Sequence, residues 1–166
     1  MYTNYNQILR EQFGARVQKI SINAGFTCPN RNGVKGWGGC TFCNNQTFFP
    51  EYCQPTKSAV QQMEGGIEFF SRYAGQLYLA YFQAYTNTYA PLDELRRLYE
   101  PVLEMDKVIG LVVGTRPDCV DDEMLGYFAR LGEQCYVMLE YGVESTLDRT
   151  LERINRGHTY AESEWA

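Results

Sequence analysis

Val17-Gln18-Lys19-Ile20-Ser21-Ile22 leads into Gly25-Phe26-Thr27-Cys28-Pro29-Asn30-Arg31-Asn32-Gly33 and then Gly38-Gly39-Cys40-Thr41-Phe42-Cys43-Asn44-Asn45. The first six residues alternate apolar and polar side chains, the period of a strand with one buried face. The loop that follows, from Gly25 to about Pro55, is rich in glycine, asparagine and cysteine. Its three cysteines are spaced C-x11-C-x2-C. The C-x2-C pair can bring two thiolates to one metal centre through a tight turn. Cys28 must return from a distance, and Gly33, Gly36, Gly38 and Gly39 supply the backbone freedom for that return.

Working outward, Val60, Met63, Ile67 and Phe70 share one helical face, with Gly65 and Gly66 weakening that helix. Leu77–Phe82 reads as a second strand. Leu92, Leu95, Leu98 and Val102 form a helical stripe that Pro101 should kink or end. Residues 108–113 are continuously apolar, the mark of a strand buried on both faces. Asp121 and Asp122 can cap a helix carrying Met124, Phe128 and Leu131. Residues 136–139 form a fourth strand. Ser145, with Asp148 three residues on, opens a last helix with Leu147, Leu151 and Ile154 as its stripe and Gly157 beyond its end. Four strands alternating with four helices predict a parallel α/β layer with right-handed crossovers. It is either a doubly wound open sheet or part of a (β/α) barrel. In both, working residues gather beyond the carboxyl ends of the strands, here residues 24–45, 83–87, 114–118 and 140–145.

The chain has 166 residues, 45% hydrophobic and 21% charged. That is enough for one domain with one core and argues against long disorder. Its apolar runs fall far short of the roughly 20 residues of a membrane helix. The N-terminus, Met1-Tyr2-Thr3-Asn4-Tyr5-Asn6-Gln7, has no basic patch followed by an apolar stretch, so a cytoplasmic, reducing compartment is expected. There the six cysteines serve metal binding or catalysis rather than disulfides. A net charge of -5 gives no support to binding by general attraction to phosphate, and a nucleic acid would have to be read by a local patch.

Three cysteines rather than four is the pointed feature. A cubane iron–sulfur cluster with four thiolates is an electron carrier. One with three leaves an iron open, as a catalytic metal site keeps a position for its substrate. The competing reading is a structural zinc site in which Cys53, ten residues beyond Cys43, completes a four-cysteine set. A glycine-rich phosphate cradle has little support, because neither Gly-Lys-Ser/Thr nor GxGxxG is present. Cys119 and Cys135 have no ligand spacing and read as small buried residues. Arg116 reads as functional, being a charged residue just after a buried strand. His158, the only histidine, follows a helix end and could serve as a cap or in the site.

These motifs resemble the radical S-adenosylmethionine superfamily. Most members carry C-x3-C-x2-C with an aromatic residue before the last cysteine. This chain keeps Cys40-Thr41-Phe42-Cys43 and widens the first gap. The widened form is similar to the YhcC/YtqA-like bacterial subfamily, which is related to the radical domain of the elongator catalytic subunit and to oxygen-independent coproporphyrinogen oxidase. Tyr81-Phe82-Gln83-Ala84-Tyr85-Thr86-Asn87-Thr88-Tyr89-Ala90-Pro91, Gly114-Thr115-Arg116-Pro117-Asp118, Glu140-Tyr141-Gly142-Val143-Glu144-Ser145 and Asn155-Arg156-Gly157-His158-Thr159 resemble the subfamily's later strand ends and last helix.

The resemblance implies a 4Fe-4S cluster on Cys28, Cys40 and Cys43. S-adenosylmethionine would chelate the open iron through its amino and carboxylate groups. Reductive cleavage would yield a 5′-deoxyadenosyl radical that abstracts hydrogen from an unknown substrate, a small molecule or tRNA. An electron donor such as flavodoxin or ferredoxin is implied. By the same analogy Phe42 lines the adenine side. Thr86 and Asn87 occupy the place where relatives carry a glycine-rich turn against the methionine amino group. Glu140 matches a carboxylate near the ribose hydroxyls, and Arg156 matches a partner for the methionine carboxylate. Two departures stand out: Glu144 where relatives commonly have Gln, which leaves it outside the expected site, and Asn32 where they commonly have Asp. The superfamily core has six βα units and only four are counted here. The expectation is therefore a partial (β/α) barrel, a single core domain over residues 1–166 truncated at its C-terminus, with an unpaired sheet edge after the fourth strand.

Overall fold

The computed structural model describes residues 4–44 and 49–166. Asn45, the last residue of the cysteine motif as quoted, lies outside them. All four apolar runs form strands: β1 (Val17–Ile22), β2 (Leu77–Phe82), β3 (Val108–Thr115) and β4 (Tyr136–Tyr141). The last two run two residues beyond their apolar stretches, because Gly114 still pairs with Glu140 and Thr115 with Tyr141. Every neighbouring pair is parallel, in the order β1-β2-β3-β4. That order separates the two architectures left open by the sequence. A doubly wound sheet reverses its winding at a switch point; this one does not. The result is an open α/β sheet of the kind found in part of a (β/α) barrel.

Helices α2 (Ala59–Phe69), α3 (Leu92–Leu103) and α4 (Asp122–Gly132) follow the first three strands. Met63, Leu95, Tyr99, Val102, Tyr127 and Phe128 pack with Ile20, Ile22, Ala80, Phe82, Leu111 and Val113 into the main core. Burying each large side chain contributes about 1.5–3 kcal/mol. Gly66 does more than weaken α2. A Cβ there would stand 2.2 Å from Ile20 Cγ2, so the glycine lets the helix lie directly on β1. The opposite sheet face carries a smaller cluster of Val17, Leu79 and Val112 under Leu9 of α1 (Tyr5–Phe13). The sequence reading did not foresee α1. Asn4 caps its start, and Gly14 ends it at φ 66°.

Two local expectations need correction. Pro101 does not end α3, which continues to Leu103; so near the terminus, the missing N–H costs only the last turn. Asp121 does cap α4, but Ser145 does not open the next helix. Glu144 turns the chain at φ 63° and the Ser145 hydroxyl accepts from Leu147 N, so α5 (Asp148–Arg153) starts later, without a side-chain cap. A further helix, α6 (Tyr160–Trp165), begins at a Thr159/Glu162 capping box. Strand β4 is half-buried along its whole length and, among the described residues, pairs only with β3. Among the described residues no helix is long and apolar enough to cross a membrane.

Candidate functional site

The strand ends and the cysteine loop enclose a cavity of about 400 Å³, within the range of small-molecule sites. Cys28, Cys40 and Cys43 all line it, with Phe42, Thr86, Arg116, Glu140 and Arg156. Of the residues expected in the site, only Asn87 stays behind the wall. Its amide donates to the carbonyls of Gly114 and Ala84, tying the turn after β2 to β3.

Backbone hydrogen bonds close the wide gap between Cys28 and Cys40. Lys35 N donates to Pro29 O and Gly39 N to Asn30 O, both at 2.9 Å, folding residues 29–39 back on themselves. Gly39, at φ 82°, leaves space for the Arg31 guanidinium, which a Cβ would meet at 2.8 Å. Cys43 N donates to Cys40 O at 3.0 Å, the tight turn expected of the C-x2-C pair. The Asn155 amide then ties Gly39 O to the end of α5 at 2.8 Å.

The thiols sit among cationic and amide donors. Arg116 is 1% exposed. Its Nη1 lies 3.6 Å from Cys28 Sγ, while Nε and Nη2 clamp Asp118 at 2.8 and 2.9 Å. Lys35 completes the arrangement at 2.7 Å from Asp118 and reaches Glu162 at the same distance. Burial alone would push the Asp118 carboxyl up, but hydrogen bonds and charge from Arg116 and Lys35 outweigh it and hold the group below its ordinary value. Arg156 places Nη1 3.5 Å from Cys40 Sγ and donates through Nη2 to Gly142 O and through Nε to His158 Nε2. His158 is buried, with Nδ1 facing Thr159 O at 3.1 Å. With Nε2 accepting, the tautomer assigned by this network carries its proton on Nδ1. The histidine orients Arg156 and does not enter the cavity. Asn30, fully buried, turns its amide to Cys40 Sγ at 3.8 Å and to Asn155 O. The sequence reading passed over Asn30, although its place two residues after Cys28 was the available signal.

On the sheet's inner face, Glu140 accepts from Lys19 Nζ at 2.6 Å and from the Tyr81 hydroxyl at 2.7 Å. Both its oxygens are engaged, each with a further lone pair for a hydroxyl donor. Burial, then the Glu140 contact, raises the Tyr81 phenol above its ordinary value. After β2, Ala84 and Tyr85 take φ of 69° and 63°, a costly conformation for residues with a Cβ. This is the turn at which the family resemblance implies glycine. It presents Thr86, whose buried hydroxyl has no hydrogen-bond partner. Phe42 stands at the rim, 53% exposed.

The donor set fits an iron–sulfur cluster. Among the described residues no three His, Cys, Asp or Glu side chains converge to hold a single metal ion. A cluster distributes its thiolates over different irons, so its ligands need to line a common cavity rather than meet at a point. Cys53 is 2% exposed in the main core, its thiol pushed up to about 11 by burial, and it does not line the cavity. Cys119 lies on the far side of the Arg116–Asp118 pair, its thiol raised to about 12 by burial, and Cys135 is half-buried against Leu131 O.

A family model for the Radical SAM superfamily matches residues 23–166, and the chain belongs to that superfamily. It is similar to Protein YhcC of Escherichia coli (44% identical over 154 residues, 92% of this chain and 49% of that protein). It is also similar to the uncharacterized proteins YtqA of Bacillus subtilis (39% over 160 residues, 96% and 50%) and MJ0486 of Methanocaldococcus jannaschii (32% over 161 residues, 95% and 49%). The chain thus spans about half the length of these relatives.

Proposed function

We propose that this chain is the cluster-binding core of a radical S-adenosylmethionine enzyme, with Cys28, Cys40 and Cys43 holding a 4Fe-4S cluster. When bound, the cluster supplies the electron that cleaves S-adenosylmethionine to a 5′-deoxyadenosyl radical, which takes hydrogen from the substrate. The observation that carries this reading is the cavity itself, which Cys28, Cys40, Cys43 and Thr86 all line, the Thr86 hydroxyl being buried without a partner. Thr86 and the backbone of its strained turn hold the methionine end. Glu140, fixed by Lys19 and Tyr81, receives the ribose hydroxyls, and Phe42 covers the adenine. The resemblance implies that Arg156 partners the methionine carboxylate. Its donors face Cys40, Gly142 and His158, which favours a role at the thiols.

The substrate is a small molecule or tRNA, and the electron comes from a donor such as flavodoxin or ferredoxin. The reading places the protein in the cytoplasm, with residues 1–166 forming one core domain that further strands complete in a longer chain. Anaerobic reconstitution tests it. The chain should take up about four irons and four sulfides, as this cluster type requires. S-adenosylmethionine should alter the electron paramagnetic resonance spectrum of the reduced cluster. A colourless protein holding one zinc, or a cluster indifferent to S-adenosylmethionine, would overturn it.

A further inference from the structure

Each of the three thiols has its own arginine. Arg116 Nη1 lies 3.6 Å from Cys28 Sγ and Arg156 Nη1 lies 3.5 Å from Cys40 Sγ, while Cys43 is the neighbour that most raises the Arg31 guanidinium above its ordinary value. The three arginines come from the loop after β1, the end of β3 and the segment after α5. No single local turn therefore produces the pattern. Their charge balance differs. Arg116 is held by both oxygens of Asp118. Arg156 meets a histidine acceptor and a backbone carbonyl, with its nearest carboxylate oxygen, on Glu144, at 3.9 Å. Arg156 is thus the less compensated of the two buried cations against the sulfurs.

Adding an electron to a cluster increases its negative charge. A buried cation that donates to a ligand sulfur stabilises the reduced form more than the oxidised form, since little water screens it. Hydrogen bonds to sulfur and local net charge are established levers on cluster potential. Resting on the cluster reading above, we propose that these arginines set the cluster's reduction potential. Arg156 raises it through its less compensated charge, and Asp118 acts as a counterweight that limits the effect of Arg116.

The test is a redox titration of the reconstituted chain, followed by electron paramagnetic resonance, for wild type, Arg156→Gln, Arg156→Lys and Asp118→Asn. Arg156→Gln should lower the midpoint, with at least a tenfold loss in the reduction equilibrium, about 59 mV for one electron. Arg156→Lys, which keeps the charge, should recover most of that loss. Asp118→Asn should move the midpoint the opposite way, upward. Opposite signs at matched iron and sulfide content are a signature that a purely structural role would not produce. Midpoints that stay put, or that move together, overturn the proposal. Should Arg156→Gln fail to load a cluster, Asp118→Asn decides alone, and an unchanged or lowered midpoint overturns it. A wild-type chain that takes up no cluster defeats the cluster reading instead, so the two failures are distinguishable.

Discussion

Replacing Asp118 by Asn removes the counter-ion of a guanidinium that has almost no access to water. The pair is buried on both sides, at 2% and 1% side-chain exposure. Removing one partner of a buried ion pair costs about 3–5 kcal/mol, because the other charge stays desolvated. Two features place this case at the lower end. Arg116 Nη1 keeps the Arg156 carbonyl at 2.7 Å, and Lys35, 31% exposed, can return to water. A loss of about 3 kcal/mol is therefore expected in urea denaturation of the iron-free chain under reducing conditions at neutral pH. The pH dependence provides a second reading. The folded-state Asp118 carboxyl is depressed, so its contribution is fully present above the unfolded value of about 3.9 and is lost as pH falls through the lower folded value. Wild type should lose stability steeply below about pH 4 on this account, while the variant, having no group to titrate there, should lose less. A variant within 1 kcal/mol of wild type, or with the same acid slope, would refute the reasoning.

Other expectations are as direct. Gly66→Ala should destabilise by about 1–2 kcal/mol, since overpacking against Ile20 exceeds the roughly 1 kcal/mol helix gain. Gly132→Ala, at a helix position with open space around it, should be neutral or stabilising by up to about 1 kcal/mol, and equal thermal shifts for the two would contradict this packing. Cys53→Ala should lower stability by about 1 kcal/mol by removing a buried group while leaving iron uptake unchanged; lost iron would instead make Cys53 a fourth cluster ligand, the mark of an electron carrier. Thr86→Val should leave the iron-free chain as stable or stabilise it, because the buried hydroxyl has no partner. It should also weaken the S-adenosylmethionine effect on the cluster spectrum about tenfold in concentration, equivalent to about 1.4 kcal/mol; an unchanged titration would remove Thr86 from the site.

The strands were legible because their side chains are sorted by what buries them: Leu111, Val112 and Val113 are wholly inaccessible on both sheet faces. Strand order was not, since periodicity says nothing about which strands lie side by side. Helix α1 buries only Leu9, too little for an apolar stripe to announce it, and α6 buries nothing. Within the site, the cysteine spacing was readable in one short loop. The contacts that condition it were not: Arg156 reaches Cys40 across 116 positions and Lys19 reaches Glu140 across 121. Such pairs exist only once the parallel sheet brings its carboxyl ends together. Arg116 was the exception, because an arginine after a fully apolar strand has no ordinary reason to be buried.

Iron and sulfide content after anaerobic reconstitution of wild type and Cys28→Ala tests the central claim most directly. About four of each per wild-type chain, with most of that content lost in the variant, is the expected result. Equal content in both proteins would contradict it, because a cluster that ignores Cys28 is not held by these three cysteines.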